Sequence, residues 1–421
     1  MSSRPPLSPA KIAGFSLFTL VVFALLFELG SFVLLKAFDA KVHTRYNRVA
    51  SGYSVFRTTP DFTFLTSKLD PSQPDVTTDA RGFVHDTPVS EVKPPNTIRV
   101  FLNGGSALFG AGQAAVYRPA KEYPSALYTY SNSIAGKLKA QLQVARPDLA
   151  FEVINAAGYT KKMHQSISDY LAVISRMSPD FVINMDGYND LNAFVTGTPY
   201  ADLHEELQTY IDLEAPPRLP ETLNSYQILK RVFERLFVRP FETGLNVRIE
   251  DEAPSVTVPR SAYEEKKPGY VKQAARFLDI LDHYTALLRE DDVEFMFALQ
   301  PTVDRAQNKP LTPSEAEWQR YVQSFKDEQP DYRLILRYFF DDYLSEQLDA
   351  RVTGAGYRYV DLGKRSQELG ADFQLFTDYC HLTLEGNQFV AEQMAAFILE
   401  KLDARAHGDA GSRPTMSSSR S

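Results

Sequence analysis

Five short strand-like runs recur along this chain, at 98–103, 151–156, 180–186, 293–299 and 357–361, and they are separated by longer stretches with helical spacing. A run such as Phe181-Val-Ile-Asn-Met is apolar without strict alternation, as a strand covered on both faces must be; a strand with one wet face would alternate. Parallel neighbours also need long crossovers. The stretches 123–145, 162–177, 266–289, 314–327 and 385–403 supply them, with apolar groups such as Tyr170, Leu171, Ile174 and Met177 at helical spacing. The alternation predicts an α/β fold, a three-layer α/β/α sandwich built on a five-stranded parallel sheet. A chain of 421 residues, 44% apolar and 23% charged, has ample material for such a core.

Open α/β sheets bind ligands beyond the carboxyl ends of their strands, so the residues that follow each run are where chemistry is sought. Ile98–Leu102 leads through Gly104-Gly105 to Ser106. A serine on a tight strand-to-helix turn presents its hydroxyl outward with backbone N–H groups nearby. Val153–Thr160 ends in small residues and Gly158, Phe181–Asp190 ends in Gly-Tyr-Asn189-Asp, and Asp378-Tyr-Cys-His381 comes near the C-terminus. Singly, each has an ordinary reading: a Gly-Gly-Ser turn or phosphate cradle, a turn glycine, a turn asparagine, a capping aspartate beside an unrelated histidine. Together they meet a chemical requirement. A serine hydroxyl is a poor nucleophile until a base takes its proton, and a histidine base needs its other nitrogen held by an acceptor. Asp378 and His381, three residues apart, are expected to meet on one face of a helical turn.

These four stretches, in this order from about Thr77 to about Leu402, resemble the SGNH (GDSL-type) hydrolase family, and Asp79-Ala-Arg-Gly-Phe83 resembles an element upstream of the nucleophile strand in its membrane-anchored members. The resemblance implies a flavodoxin-like sheet with Ser106 as nucleophile, His381 as base and then acid, and Asp378 as its orienter. It implies an oxyanion hole of the backbone N–H groups of Ser106 and Gly158 and the side-chain amide of Asn189. The residue types suit the task, since glycine allows close backbone approach and an asparagine amide donates without adding charge. The family commonly has aspartate before its nucleophile, where this chain has Gly105. The implied activity is hydrolysis of O-acyl esters, O-acetyl foremost, on a glycan, lipid or small ester through an acyl-serine. An O-acyltransferase would use the same site, and a catalytically silent binding module would keep only the fold.

A net charge of −8 supplies no basic field for nucleic acid. The single cysteine, Cys380, rules out an intrachain disulfide and reads as buried packing. No cofactor or metal is expected: metal-ligand spacings are absent, and no Gly-x-Gly-x-x-Gly follows a strand. His164 on the helix after Gly158 reads as packed or solvated, and Asp186 and Asp190 as ordering the Asn189 loop.

Ile12–Leu35 carries Glu28 as its one ionisable side chain and is long enough, at about 1.5 Å per residue, to span a roughly 30 Å hydrocarbon core; a buried core helix or a cleavable signal peptide would share this composition. The expected organisation is a tail and single-pass anchor at 1–40, a connecting arm at 41–96, a hydrolase domain at 97–403 and a disordered Ser-rich tail at 404–421. Flanking charges leave the orientation open, and the family resemblance favours an extracytoplasmic domain. An insertion at about 192–263, with a helix-like run Leu223–Phe237, leaves the chain just after Asn189 and is expected to lie beside the site.

Overall fold

The computed structural model describes residues 8–38, 48–51, 55–64, 74–112, 127–191, 223, 225, 226, 229, 259–305, 309–325 and 333–408. The chain divides into two compact units, Met1–Tyr46 with Glu214–Arg248, and Asn47–Leu213 with Ile249–Ser421. In the first, helix α1 (Pro9–Phe38) starts on a proline, whose fixed φ suits the first turn, and contains no later one. Its stretch Ala13–Val33 is long and apolar enough to cross a membrane. Phe15, Leu20, Phe23 and Leu26 are exposed along it. The Glu28 carboxylate accepts a hydrogen bond from the backbone N–H of Ser225 at 2.9 Å, so the charged group within the apolar run has a donor. Most of the insertion, and with it most of the run Leu223–Phe237, lies outside the described residues, as does the tail from 409.

The second unit opens with two antiparallel ribbons, β1 (Arg48–Ser51) with β2 (Val55–Thr58), and β3 (Thr63–Phe64) with β4 (Val76–Thr77). These ribbons carry part of the core, since Phe64, Val76 and Val84 are buried in it. The sheet follows: β5 (Thr97–Gly104), β6 (Ala150–Asn155), β7 (Phe181–Asp186), β8 (Glu294–Leu299) and β9 (Arg358–Asp361). All neighbours are parallel, in the order β6-β5-β7-β8-β9. Numbered by appearance in the sheet this is 2-1-3-4-5, the flavodoxin-like order. The connections change direction between β5 and β7, which opens a crevice there.

Side-chain alternation splits the core between the two faces. Val100, Leu102, Ile183, Met185 and Met296 pack toward Leu138, Val390, Met394 and Ile398, while Phe101, Ile154, Val182, Phe295 and Phe297 pack toward Tyr170, Phe277, Leu281, Phe339 and Leu348. The helices of the first layer are α3 (Ile134–Ala145), entered after the short α2 (Ser106–Phe109), and the C-terminal helix Leu384–Gly408. The second layer holds α4 (Met163–Asp169), extended to Met177 by one π-type and one 3-10 turn, then α5 (Arg260–Glu290) and the pair Ile335–Leu344 and Ser345–Gly354.

Several boundaries differ from expectation for local reasons. Helix α3 begins at Ile134, not near 123, because the Ser133 hydroxyl caps it by accepting from the Gly136 N–H. Helix α5 starts at Arg260 and tolerates Pro268 in its interior, so Tyr263 belongs to the helix and is fully buried. The pair Ile335–Gly354 was not expected, and its apolar face, Leu336, Phe339, Phe340 and Leu344, lines the second core. The last helix runs to Gly408, past its expected end at 403 and into the stretch read as a disordered tail.

Candidate active site

The crevice between β5 and β7 is where the sequence-derived residues meet. β5 ends at Gly104, whose φ of +151° and tight seat, with a built Cβ only 2.3 Å from the Met185 carbonyl, admit no side chain. Gly105 is extended, and Ser106 then takes the first position of α2. Its N–H is among those a helix leaves without an intrahelical acceptor.

Ser106 Oγ lies 2.8 Å from His381 Nε2, and His381 Nδ1 lies 2.7 Å from Asp378 Oδ2. The last two do not sit on a helical turn as expected. They lie in a loop before the C-terminal helix, where Asp378 Oδ1 accepts from the backbone N–H groups of Cys380 and His381, both at 2.8 Å. One carboxylate thus shapes the loop with one oxygen and holds the imidazole with the other. The loop is pinned further by the Phe376–Leu382 bridge, by the Thr377 N–H donating to the His381 carbonyl at 2.9 Å, and by Tyr128 Oη donating to the Leu382 carbonyl at 3.0 Å.

The electrostatics of the pair follow from burial and mutual charge. Burial opposes both ions, yet the Asp378 carboxylate raises the His381 imidazole well above its ordinary range. Burial likewise pushes Asp378 up, but His381 and the two backbone donors hold it below the usual carboxylate value. An imidazolium formed at His381 is therefore stabilised where it stands. Cys380 Sγ packs 3.8 Å from His381 Nδ1. Asp378, Cys380 and His381 are the one set of potential metal ligands among the described residues. A cation there would take the place of the proton shared by His381 and Asp378.

The three expected oxyanion donors are placed differently. The Ser106 N–H stands at the helix start beside its own Oγ. The Gly158 N–H departs from expectation, because it donates to the Gly104 carbonyl at 3.0 Å and so continues the β5–β6 ladder. Asn189 Nδ2 donates to the Lys161 carbonyl at 2.9 Å, leaving its second N–H. A Cβ built on Gly105 would fall 2.6 Å from that same nitrogen. The space that a side chain at position 105 would need is thus taken by the Asn189 amide. Gly105→Ala should push the amide away from the nucleophile at little cost in stability and lower kcat by about 10- to 100-fold, toward the loss expected for removing one oxyanion donor. An unchanged kcat in a folded Gly105→Ala protein would overturn this role for Asn189.

Beneath the Asn189 loop, Asp190 accepts from the N–H groups of Met163 and Gly187, both at 3.1 Å. Burial and then the Asp190 charge push the Asp186 carboxyl well above its ordinary range. His164 is carried by α4 and is not part of the Ser106–His381–Asp378 chain. Sequence reasoning missed Glu315. Fully buried on α6 (Pro313–Phe325), it accepts from the N–H groups of Leu375 and Phe376 at 2.7 and 3.0 Å, and so holds the start of the loop that carries Asp378 and His381. Its signal in the sequence, Thr312 with Glu315 three residues on, is that of a capping box.

No protein-family model and no curated protein matches the chain. Among solved structures it is similar to an acetylxylan esterase, Axe2, from Geobacillus stearothermophilus (10% identity, 72% of this chain and 94% of that one, TM-score 0.35). It is also similar to LAE5, an alpha/beta hydrolase enzyme from the metagenome of Lake Arreo, Spain (12%, 71% and 94%, 0.35), and to a candidate GDSL-like lipase from Parabacteroides merdae (10%, 70% and 92%, 0.33). The assignment of chemistry to the site rests on its own geometry.

Proposed function

We propose that this chain is an SGNH-type serine hydrolase that cleaves O-acyl esters, O-acetyl esters foremost, and that α1 anchors it in a membrane. The observation that carries the reading is the continuous chain from Ser106 Oγ through His381 to Asp378 at the crevice of the sheet. Ser106 Oγ attacks the ester carbonyl while His381 Nε2 takes its proton, and the same proton passes to the departing alcohol oxygen as the C–O bond breaks. Water then attacks the acyl-serine, giving its proton to His381, and the acid leaves as Oγ recovers a proton. The Ser106 N–H and the Asn189 amide stabilise the negative oxygen in both steps. A fluorophosphonate probe tests the reading, because only an activated serine displaces its fluoride. A single adduct on the peptide containing Ser106 is expected. No labelling of folded protein would leave a binding module on the same fold.

The apolar stretch Ala13–Val33 is long enough to cross a membrane, and we propose that it stays uncleaved with the second unit on the extracytoplasmic side. In spheroplasts of a bacterial host expressing the full chain, external protease should digest the domain. Protection until lysis would reverse the orientation.

A further inference from the structure

The arm that precedes β5 and the loop that follows β6 line a narrow cleft. Three cations line it: Arg57 from β2, Arg81 from the Asp79–Phe83 turn and Lys161 from the loop. Two are engaged. Arg81 Nη1 donates to Asp79 Oδ2 at 3.1 Å and to the Val89 carbonyl at 3.2 Å. Lys161 Nζ donates to the Ala156 carbonyl at 2.9 Å and to Asn103, and pairs with Asp169. Arg57 is half-buried, and among the described residues its guanidinium has neither a hydrogen-bond acceptor nor a carboxylate partner. Asp169 lines the same cleft, and its Oδ1 is buried with no donor among the described residues. A guanidinium that has lost part of its hydration and spends none of its five donors is set to take an anion.

The cleft shares a wall with the site. On one side of the loop the Lys161 carbonyl receives the Asn189 amide, and on the other Gly158, Tyr159 and the Lys161 side chain line the cleft. One glycine brings the arm close to the loop and another packs the arm on itself. A Cβ on Gly158 would lie 2.8 Å from Thr58 Oγ1, and one on Gly82 would lie 2.3 Å from the Thr58 carbonyl. Arg57, the neighbour of Thr58, is therefore held one loop's thickness from the nucleophile strand.

We infer that this cleft binds an anionic group, a carboxylate or a phosphate, on the alcohol portion of the ester, with Arg57 as its cation and Asp169 Oδ1 as acceptor for a neighbouring hydroxyl. The assignment to a substrate rests on the hydrolase reading; the assignment of an anion site does not. The guanidinium fork matches either oxyanion in two parallel hydrogen bonds. The test uses the full chain in detergent. Thermal midpoints measured against glucuronate, inorganic phosphate and neutral glucose should rise saturably with one of the two anions and not with glucose, and the anion that binds identifies the source. Arg57→Gln should weaken that affinity at least tenfold, and Arg57→Lys should keep part of it. In turnover, the ratio of kcat/KM for an acetylated anionic sugar to that for its neutral counterpart should fall about tenfold or more in Arg57→Gln, through KM. Equal anion affinity in wild type and Arg57→Gln, or no anion binding by wild type, overturns the cleft. Failure of wild type to label at Ser106 removes the hydrolase reading, and the binding measurement still decides the cleft.

Discussion

Ser106→Ala and His381→Ala are each expected to lower kcat on acyl esters by on the order of 10⁶-fold, with the double variant scarcely worse, because nucleophile and base act as one unit. What survives is catalysis by the oxyanion donors and by binding alone. The unit is visible in the geometry: Oγ and Nε2 are 2.8 Å apart, and the far nitrogen is already 2.7 Å from its carboxylate. The pH dependence has a definite sign. Only neutral imidazole can take the serine proton, and Asp378 raises His381 well above the ordinary value of 6.5, so kcat/KM should rise with pH and reach its plateau on the alkaline side of that value. Substantial turnover in folded Ser106→Ala would sink the mechanism, and a rate that declines as pH rises through this range would remove His381 as its base.

Glu315→Ala is expected to cost about 3–5 kcal/mol of stability, the usual penalty for removing one partner of a buried ion pair. Glu315 and Lys309 have fully buried side chains 2.6 Å apart. The carboxylate also accepts from the backbone N–H groups of Thr312, Leu375 and Phe376 at 2.9, 2.7 and 3.0 Å. Alanine would strand an ammonium and three backbone donors away from water. Glu315→Gln keeps an acceptor and should cost less. Leu375 and Phe376 begin the loop that presents Asp378, so the stability loss should bring a fall in kcat with it. Urea unfolding of purified protein measures the first effect, and a loss under about 1 kcal/mol would show that the pair is not the loop's support.

Periodicity made the sheet legible. The five runs read as strands correspond to β5–β9 within a residue or two, because short apolar runs of strand length, separated by long helical stretches, mark a parallel sheet. Their parallel order could be argued from the crossovers. Where expectation failed, the deciding interaction was distant in sequence. The pair Ile335–Gly354 has charges among its apolar groups, and its role is set by packing on Phe277 and Phe295. The ribbons of the arm show only as a Pro- and Thr-rich stretch, although Phe64 and Val84 enter the core. At the site, chemistry fixed the residue types, so serine, histidine and aspartate could be picked out. The use of the Gly158 N–H within the ladder, and the contest of Gly105 and Asn189 for one space, depend on ångström-scale backbone placement that no residue pattern encodes.

The two ends of the Ser106–His381 hydrogen bond are 275 residues apart in the chain. At about 5–20 residues per second of synthesis, the serine leaves the ribosome roughly 14 to 55 s before the histidine it bonds to. β5 can pair with β6 and β7 in that time, but the hydroxyl has no imidazole partner until the segment carrying Asp378 and His381 has arrived and folded over the crevice. A ribosome that stalls before Asp378 and His381 therefore leaves Ser106 without its hydrogen-bond partner.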